Sequence, residues 1–151
     1  MTRQSLVVAL CVILLSAVSW VLVGCSQTLK PVYAVTEGSY DADSLEARMR
    51  ELDPGDFAEV ATADADEARS EALSLLRSEG EDAGRVADLL VSGFPKDAKA
   101  VPFRIEETQF EGSSAWVVFE VWGEEGGTLV HKRAWVFDRD TGDLLWSASM
   151  N

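Results

Sequence analysis

The stretch "VPFRIEETQFEGSSAWVVFEVW", residues 101–122, decides the fold. Val101, Phe103 and Ile105 alternate with Arg104, Glu106 and Thr108, and Val117, Phe119 and Val121 alternate with Trp116, Val118 and Glu120. A period of two places alternate side chains on opposite faces of a strand. "EGS" between the runs is short and bears a glycine, as a hairpin turn requires. "TLVHKRAWVF" and "DLLWSASM" continue the pattern, separated by "GEEGG" and "RDTG". The C-terminal half therefore reads as a four-stranded antiparallel meander.

The meander predicts two unlike faces. Val101, Phe103, Ile105, Val117, Phe119, Val121, Val130, Ala134 and Val136 make one of them aliphatic. The other carries Trp116, Val118, Glu120, Trp122, Leu129, His131, Arg133, Trp135, Phe137, Leu144 and Trp146. A one-residue slip in pairing would exchange members of the two lists. A solvated antiparallel face is mostly polar, so four tryptophans around Glu120, His131 and Arg133 require an explanation. Either the chain's own first helix or residues 31–40 cover this face, or a second copy docks there, or it binds a ligand or protein partner. The candidate binding residues are Trp116, Glu120, Trp122, His131, Arg133, Trp135 and Trp146.

Upstream, residues 41–94 read as helical. Leu45, Met49 and Leu52 recur at i, i+4, i+7, with Asp41 or Asp43 as N-cap. "DPGD" at 53–56 breaks that helix, Asp64 and Glu67 are placed as a capping pair for the next, and Gly80 stops it. Val86, Leu89, Leu90 and Phe94 mark a third helix ending at Gly93 and Pro95. Sixteen acids against five bases between 37 and 93 mark the solvated faces of these helices. Helices followed by strands argue for α+β, with the helices on one face of the sheet. A curved sheet with a polar-aromatic concavity resembles the cone-shaped NTF2-like and cystatin-like domains, an analogy of fold alone.

The formal charge is −13, and every acidic residue lies beyond position 36. Coulomb repulsion makes nucleic acid and anionic head groups poor partners for this surface. His131 is the sole histidine. Paired with Glu120 beside Arg133 it would offer acid–base chemistry, but no nucleophile or second histidine accompanies it. An enzyme using Glu120, His131 and Arg133 is thus the lesser reading, behind a non-enzymatic binding or interaction domain and an accessory subunit acting through an interface. "DRDTGD", 138–143, departs from a calcium loop, with glycine fifth and Ser149 twelfth. A tight turn explains it. "FDRDTGDLLWS", 137–147, resembles one hairpin of the pyrroloquinoline-quinone-type β-propeller repeat, which implies a shared hairpin only. Glu106 and Glu107 read as solvent-facing. No cofactor or metal motif is present.

The first 25 residues supply an address. Arg3 precedes an apolar run from Leu6 to Val23, and small residues follow. That is the layout of an export signal. Leu22-Val23-Gly24-Cys25 resembles the lipobox of bacterial lipoproteins. The resemblance implies a diacylglyceryl group on the Cys25 thiol and cleavage before it. A plain transmembrane anchor is the alternative, since a run of 18 residues, broken only by Ser16 and Ser19, sits at the short end of a bilayer span. The expected organisation is a signal peptide at 1–24, a tether at 25–39, with a first strand around Val32 to Val35 as an alternative within it, and one α+β domain at 40–151. The expected location is a cell membrane, lipid-anchored through Cys25 and facing outside the cytoplasm. With cysteines only at 11 and 25, that domain holds together without a disulfide.

Overall fold

In the computed structural model, which describes residues 28–93 and 99–151, the alternating runs become strands of one mixed sheet. The chain runs β1 (Val32–Tyr40), α1 (Ala42–Glu51), a 3-10 turn (Gly55–Glu59), α2 (Ala65–Glu79), α3 (Glu81–Ser92), β2 (Ala100–Phe110), β3 (Ser113–Trp122), β4 (His131–Asp138) and β5 (Leu144–Met150). The α+β class and the antiparallel meander of β2 to β5 are as the alternation predicts. The sheet has five strands rather than four. Residues 32–39, read above as the end of the tether with an alternative strand at Val32 to Val35, form β1 together with Tyr40 and pair with β2 in parallel.

Local chemistry sets the helix ends. The Asp41 carboxylate accepts the Ser44 N–H at 2.8 Å, and Ser44 Oγ accepts the Asp41 N–H at 2.9 Å, a reciprocal cap that starts α1. Asp64 stands at the N-cap of α2 but forms no side-chain cap, because its backbone is already in the helical region (φ −98°, ψ −1°). An effective cap residue is extended. Gly80, at φ 144°, separates α2 from α3. Phe94 and Pro95, expected at the end of the third helix, lie outside the described residues.

The helices lie on both faces of the sheet, not on one. Leu45 and Met49 of α1 pack with Val117, Phe119, Val121, Ala134 and Val136. On the opposite face, Leu73 and Leu76 of α2 and Val86, Ala87 and Leu90 of α3 pack with Ile105, Trp116, Val118 and Phe137. Each sheet face carries large apolar side chains, so each requires its own cover. The Trp-bearing face is therefore covered in part by α2 and α3, rather than by the first helix or residues 31–40.

Two bulges redistribute the expected faces. Pro102 pairs with Glu120 and Arg104 with Phe119, so Phe103 is the extra residue in β2. Beyond it, Ile105 moves to the Trp116 side, and Arg104 and Glu106 move to the supposedly aliphatic side. In β5, Val136 pairs with Trp146 but Phe137 with Leu144, leaving Leu145 as the extra residue. Trp146 consequently lies on the α1 face, its ring 6.1 Å from that of Phe110. Leu129 and Val130 also exchange places. Hydrogen bonds from Leu129 N–H to the Val60 carbonyl and from Thr62 N–H to the Gly127 carbonyl hold this loop to residues 60–62. They bury Leu129 and turn Val130 to solvent.

Glu106, expected at the surface, is fully buried. It accepts Arg48 Nη2 at 2.9 Å, the Tyr40 hydroxyl at 2.8 Å and Arg104 Nε. The "RDTG" stretch forms the expected turn. Asp138 Oδ1 accepts the backbone N–H groups of Asp140 and Thr141, and Gly142 takes φ 77°.

Candidate functional site

Antiparallel β3 and β4 place Glu120 opposite Arg133 and Trp122 opposite His131. The expected His131–Glu120 pair therefore does not form. His131 instead stacks on Trp122, with ring centroids 4.7 Å apart.

Glu120 is fully buried and held by three donors. Arg69 Nη1 reaches its Oε1 at 2.6 Å. Arg133 Nε and Trp135 Nε1 reach its Oε2 at 2.7 and 2.8 Å. Arg69 also donates to the carbonyls of Ala100 and Leu90, at 3.0 Å each. Strand β1 pairs with β2 only from Arg104 onward. The first residues of β2 are thus an edge, and Arg69 of α2 enters there. Burial pushes the Glu120 carboxyl up, while the Arg133 and Arg69 charges and the Arg69 and Trp135 hydrogen bonds outweigh it. The net shift is downward, and Glu120 stays ionised.

Glu106 behaves similarly on the other face. Burial pushes its carboxyl up, and the hydrogen bonds from Arg48, Arg104 and Tyr40 bring it below the usual value. Both folded values lie below the ordinary 4.5. The stability they contribute is present above that value and is lost as pH falls through the folded values. Urea unfolding at stepped pH should show the midpoint falling with acidification below about 4.5. Glu120→Gln should flatten that fall; an equally steep profile would contradict the assignment.

Trp116 is fully buried beneath α3. Arg85 and Arg139 lie over its ring, 4.9 and 5.7 Å from the centroid. Arg139 pairs with Glu107 and, at 3.2 Å, with Asp82. The Tyr33 hydroxyl donates to Glu107 at 3.0 Å, and its pKa is pushed up to about 12 by burial and that carboxylate. Trp116 is thus a core residue with a charged rim, not a docking residue.

Among the described residues, no helix covers the rest of the Trp-bearing face. Trp122, Arg133, Trp135, Ser147, Ala148 and Ser149 line a groove of about 400 Å³ over β4 and β5. Ser147 and Ser149 are exposed, and Trp122 and Trp135 partly so. The Arg133 guanidinium lies against the Trp135 ring, 5.0 Å from its centroid. Its Nε is committed to Glu120, whereas its two terminal nitrogens make no hydrogen bond among the described residues. Trp122 Nε1 is buried with no hydrogen-bond partner among the described residues, and the structure offers no account of it.

Of the seven candidate residues, the structure therefore brings Glu120, Trp122, Arg133 and Trp135 to one place, with His131 behind Trp122. Trp116 is in the core and Trp146 is on the other face. Arg69, Ser147 and Ser149 were missed by the face pattern. Arg69 does leave a sequence signal, as the only base between residues 51 and 76. Cys25 lies outside the described residues. Among the described residues, no group of acidic, histidine or cysteine side chains is arranged to hold a metal ion, and no helix is long and apolar enough to cross a membrane. No family model, no curated protein and no solved structure matches the chain.

Proposed function

We propose that this protein is a lipid-anchored, extracytoplasmic binding domain that does no chemistry itself and takes its ligand in the β4–β5 groove. One observation carries the site. Arg133 is fixed from behind by the buried Glu120 carboxylate and from the side by Trp135, with its terminal nitrogens left for a ligand. Pre-organisation of this kind reduces the ordering cost of binding. The non-catalytic reading is supported by Glu120, whose two oxygens are both taken up by arginine and tryptophan donors. An acid–base group needs a proton it can exchange. The lesser reading, an enzyme using Glu120, His131 and Arg133, loses the pairing on which it depends.

The address is supported by Leu22-Val23-Gly24-Cys25 behind the apolar run, and by the closeness of β1, which begins at Val32. A domain starting seven residues after Cys25 would sit close against the membrane face. A cone of NTF2-like or cystatin-like shape is a proposal too, supported by helices preceding a meander and opposed by α1 on the second face.

Intact mass spectrometry of the membrane-extracted protein tests the address. The expected N-terminus is Cys25 carrying a diacylglyceryl group, and Cys25→Ser should leave an uncleaved, unacylated chain. Two or more acyl chains hold durably, whereas one gives marginal binding. A native product beginning at Met1 with a free thiol would remove the anchor.

A further inference from the structure

Resting on the groove reading above, we infer that the ligand is an acidic sugar: a hydroxylated ring bearing a carboxylate. The local charge comes first. Arg69 and Arg133 supply two positive charges against the single negative charge of Glu120. Among the described residues, the groove thus keeps a surplus of one positive charge in a chain of net charge −13. No acidic side chain among the described residues lines it. An anion approaching elsewhere meets repulsion; here it meets a fixed cation.

Geometry narrows the class. A guanidinium whose Nε is occupied presents its two terminal nitrogens side by side, and that fork matches the two oxygens of a carboxylate. A phosphate would fit the fork equally, but it gives the remaining lining no role. The partly exposed Trp122 ring, which has His131 against it, offers a surface that suits the apolar C–H face of a pyranose. The exposed hydroxyls of Ser147 and Ser149 donate and accept, matching ring hydroxyls. A volume of about 400 Å³ is that of a small-molecule site and admits one or two sugar rings.

The test titrates the detergent-solubilised full chain with glucuronate, glucuronamide and glucose, read by ligand-observed NMR and calorimetry. Glucuronate should bind at least about tenfold more tightly than either neutral sugar, the yield of one charge-assisted hydrogen-bonded pair. Raising the salt should weaken glucuronate alone, because an open groove is screened. Ser147→Tyr fills the groove from an exposed position and should abolish binding while leaving the urea midpoint unchanged. A glucuronate oligomer binding more tightly than the monomer would identify a glycan chain as the source; equal affinity would identify the free sugar.

Equal binding of all three sugars, through a groove that Ser147→Tyr closes, would overturn the acidic class and leave the groove standing. Glucuronate binding that survives Ser147→Tyr would overturn the groove itself. No binding of any of them would overturn the sugar assignment.

Discussion

Arg69→Met is expected to lower the unfolding free energy by about 3–5 kcal/mol, the cost of leaving one partner of a buried ion pair without the other. Glu120 cannot reach water, and Arg69 is the donor to its Oε1. Arg133 remains on the other oxygen, but it sits at the groove and carries the only compensating charge left among the described residues. The substitution also removes the donor that joins the Leu90 carbonyl at the end of α3 to that of Ala100 at the start of β2. Against a typical total of about 5–15 kcal/mol, this is a large share of what holds the domain together. Equilibrium urea unfolding gives the number. Adding Glu120→Gln to Arg69→Met should recover part of the loss, because the buried charge disappears with its partner. A coupling of about 0.5–3 kcal/mol is expected for groups in direct contact. Strict additivity would mean that the two side chains act independently.

The second large effect concerns Trp116→Ala, expected to cost about 3–5 kcal/mol through the cavity left by a buried aromatic. The ring lies among Leu73, Leu76, Val86 and Leu90, and it supports the Arg85 and Arg139 guanidinium groups. Loss of the urea midpoint is the readout. Were Trp116 a docking residue on a free surface, the variant would fold normally and lose a partner instead. The exposed Ser147→Tyr is the comparison, with an expected change within about 0.5 kcal/mol.

The alternation of residues 101–122 was enough to read strands and a meander. It was not enough to read faces. A bulge adds one residue without changing composition, so neither Phe103 nor Leu145 announces itself. Yet each reverses the side on which everything beyond it points. That is why Glu106 moved from the expected solvent face into a buried arginine cluster, and why Trp146 left the tryptophan face. The strand formed by 32–40 was only half legible. Val32 to Val35 had strand character, while the glycine and polar residues at 36–39 read as tether. Parallel pairing with β2, seventy residues away in sequence, is a tertiary event with no local signature.

Helix spans were more legible, because Pro54 and Gly80 interrupt the chain at positions where a helix must stop. Which face each helix would cover was not. Helix α2 contains alanines and leucines in equal number, and the structure divides them. Ala65 and Ala72 join the core under α1, and Leu73 and Leu76 the one beneath α3. Glu120, Arg133, Trp122 and Trp135 were identified as candidates from strand pattern alone, and they do converge. The partner proposed for Glu120 was wrong because His131 sits two pairs too far along the ladder. Arg69 supplies the missing charge from a helix, and the strand pattern contains no information about it.

Everything proposed for the site depends on α2 and α3 closing one half of the tryptophan-bearing face and leaving the other half open. Hydroxyl-radical footprinting of the folded chain, read by mass spectrometry at each tryptophan, measures that division. Trp122 and Trp135 should oxidise readily, and Trp116 should resist until the chain unfolds. Oxidation of Trp116 at the rate of Trp135 in the native protein would contradict the account.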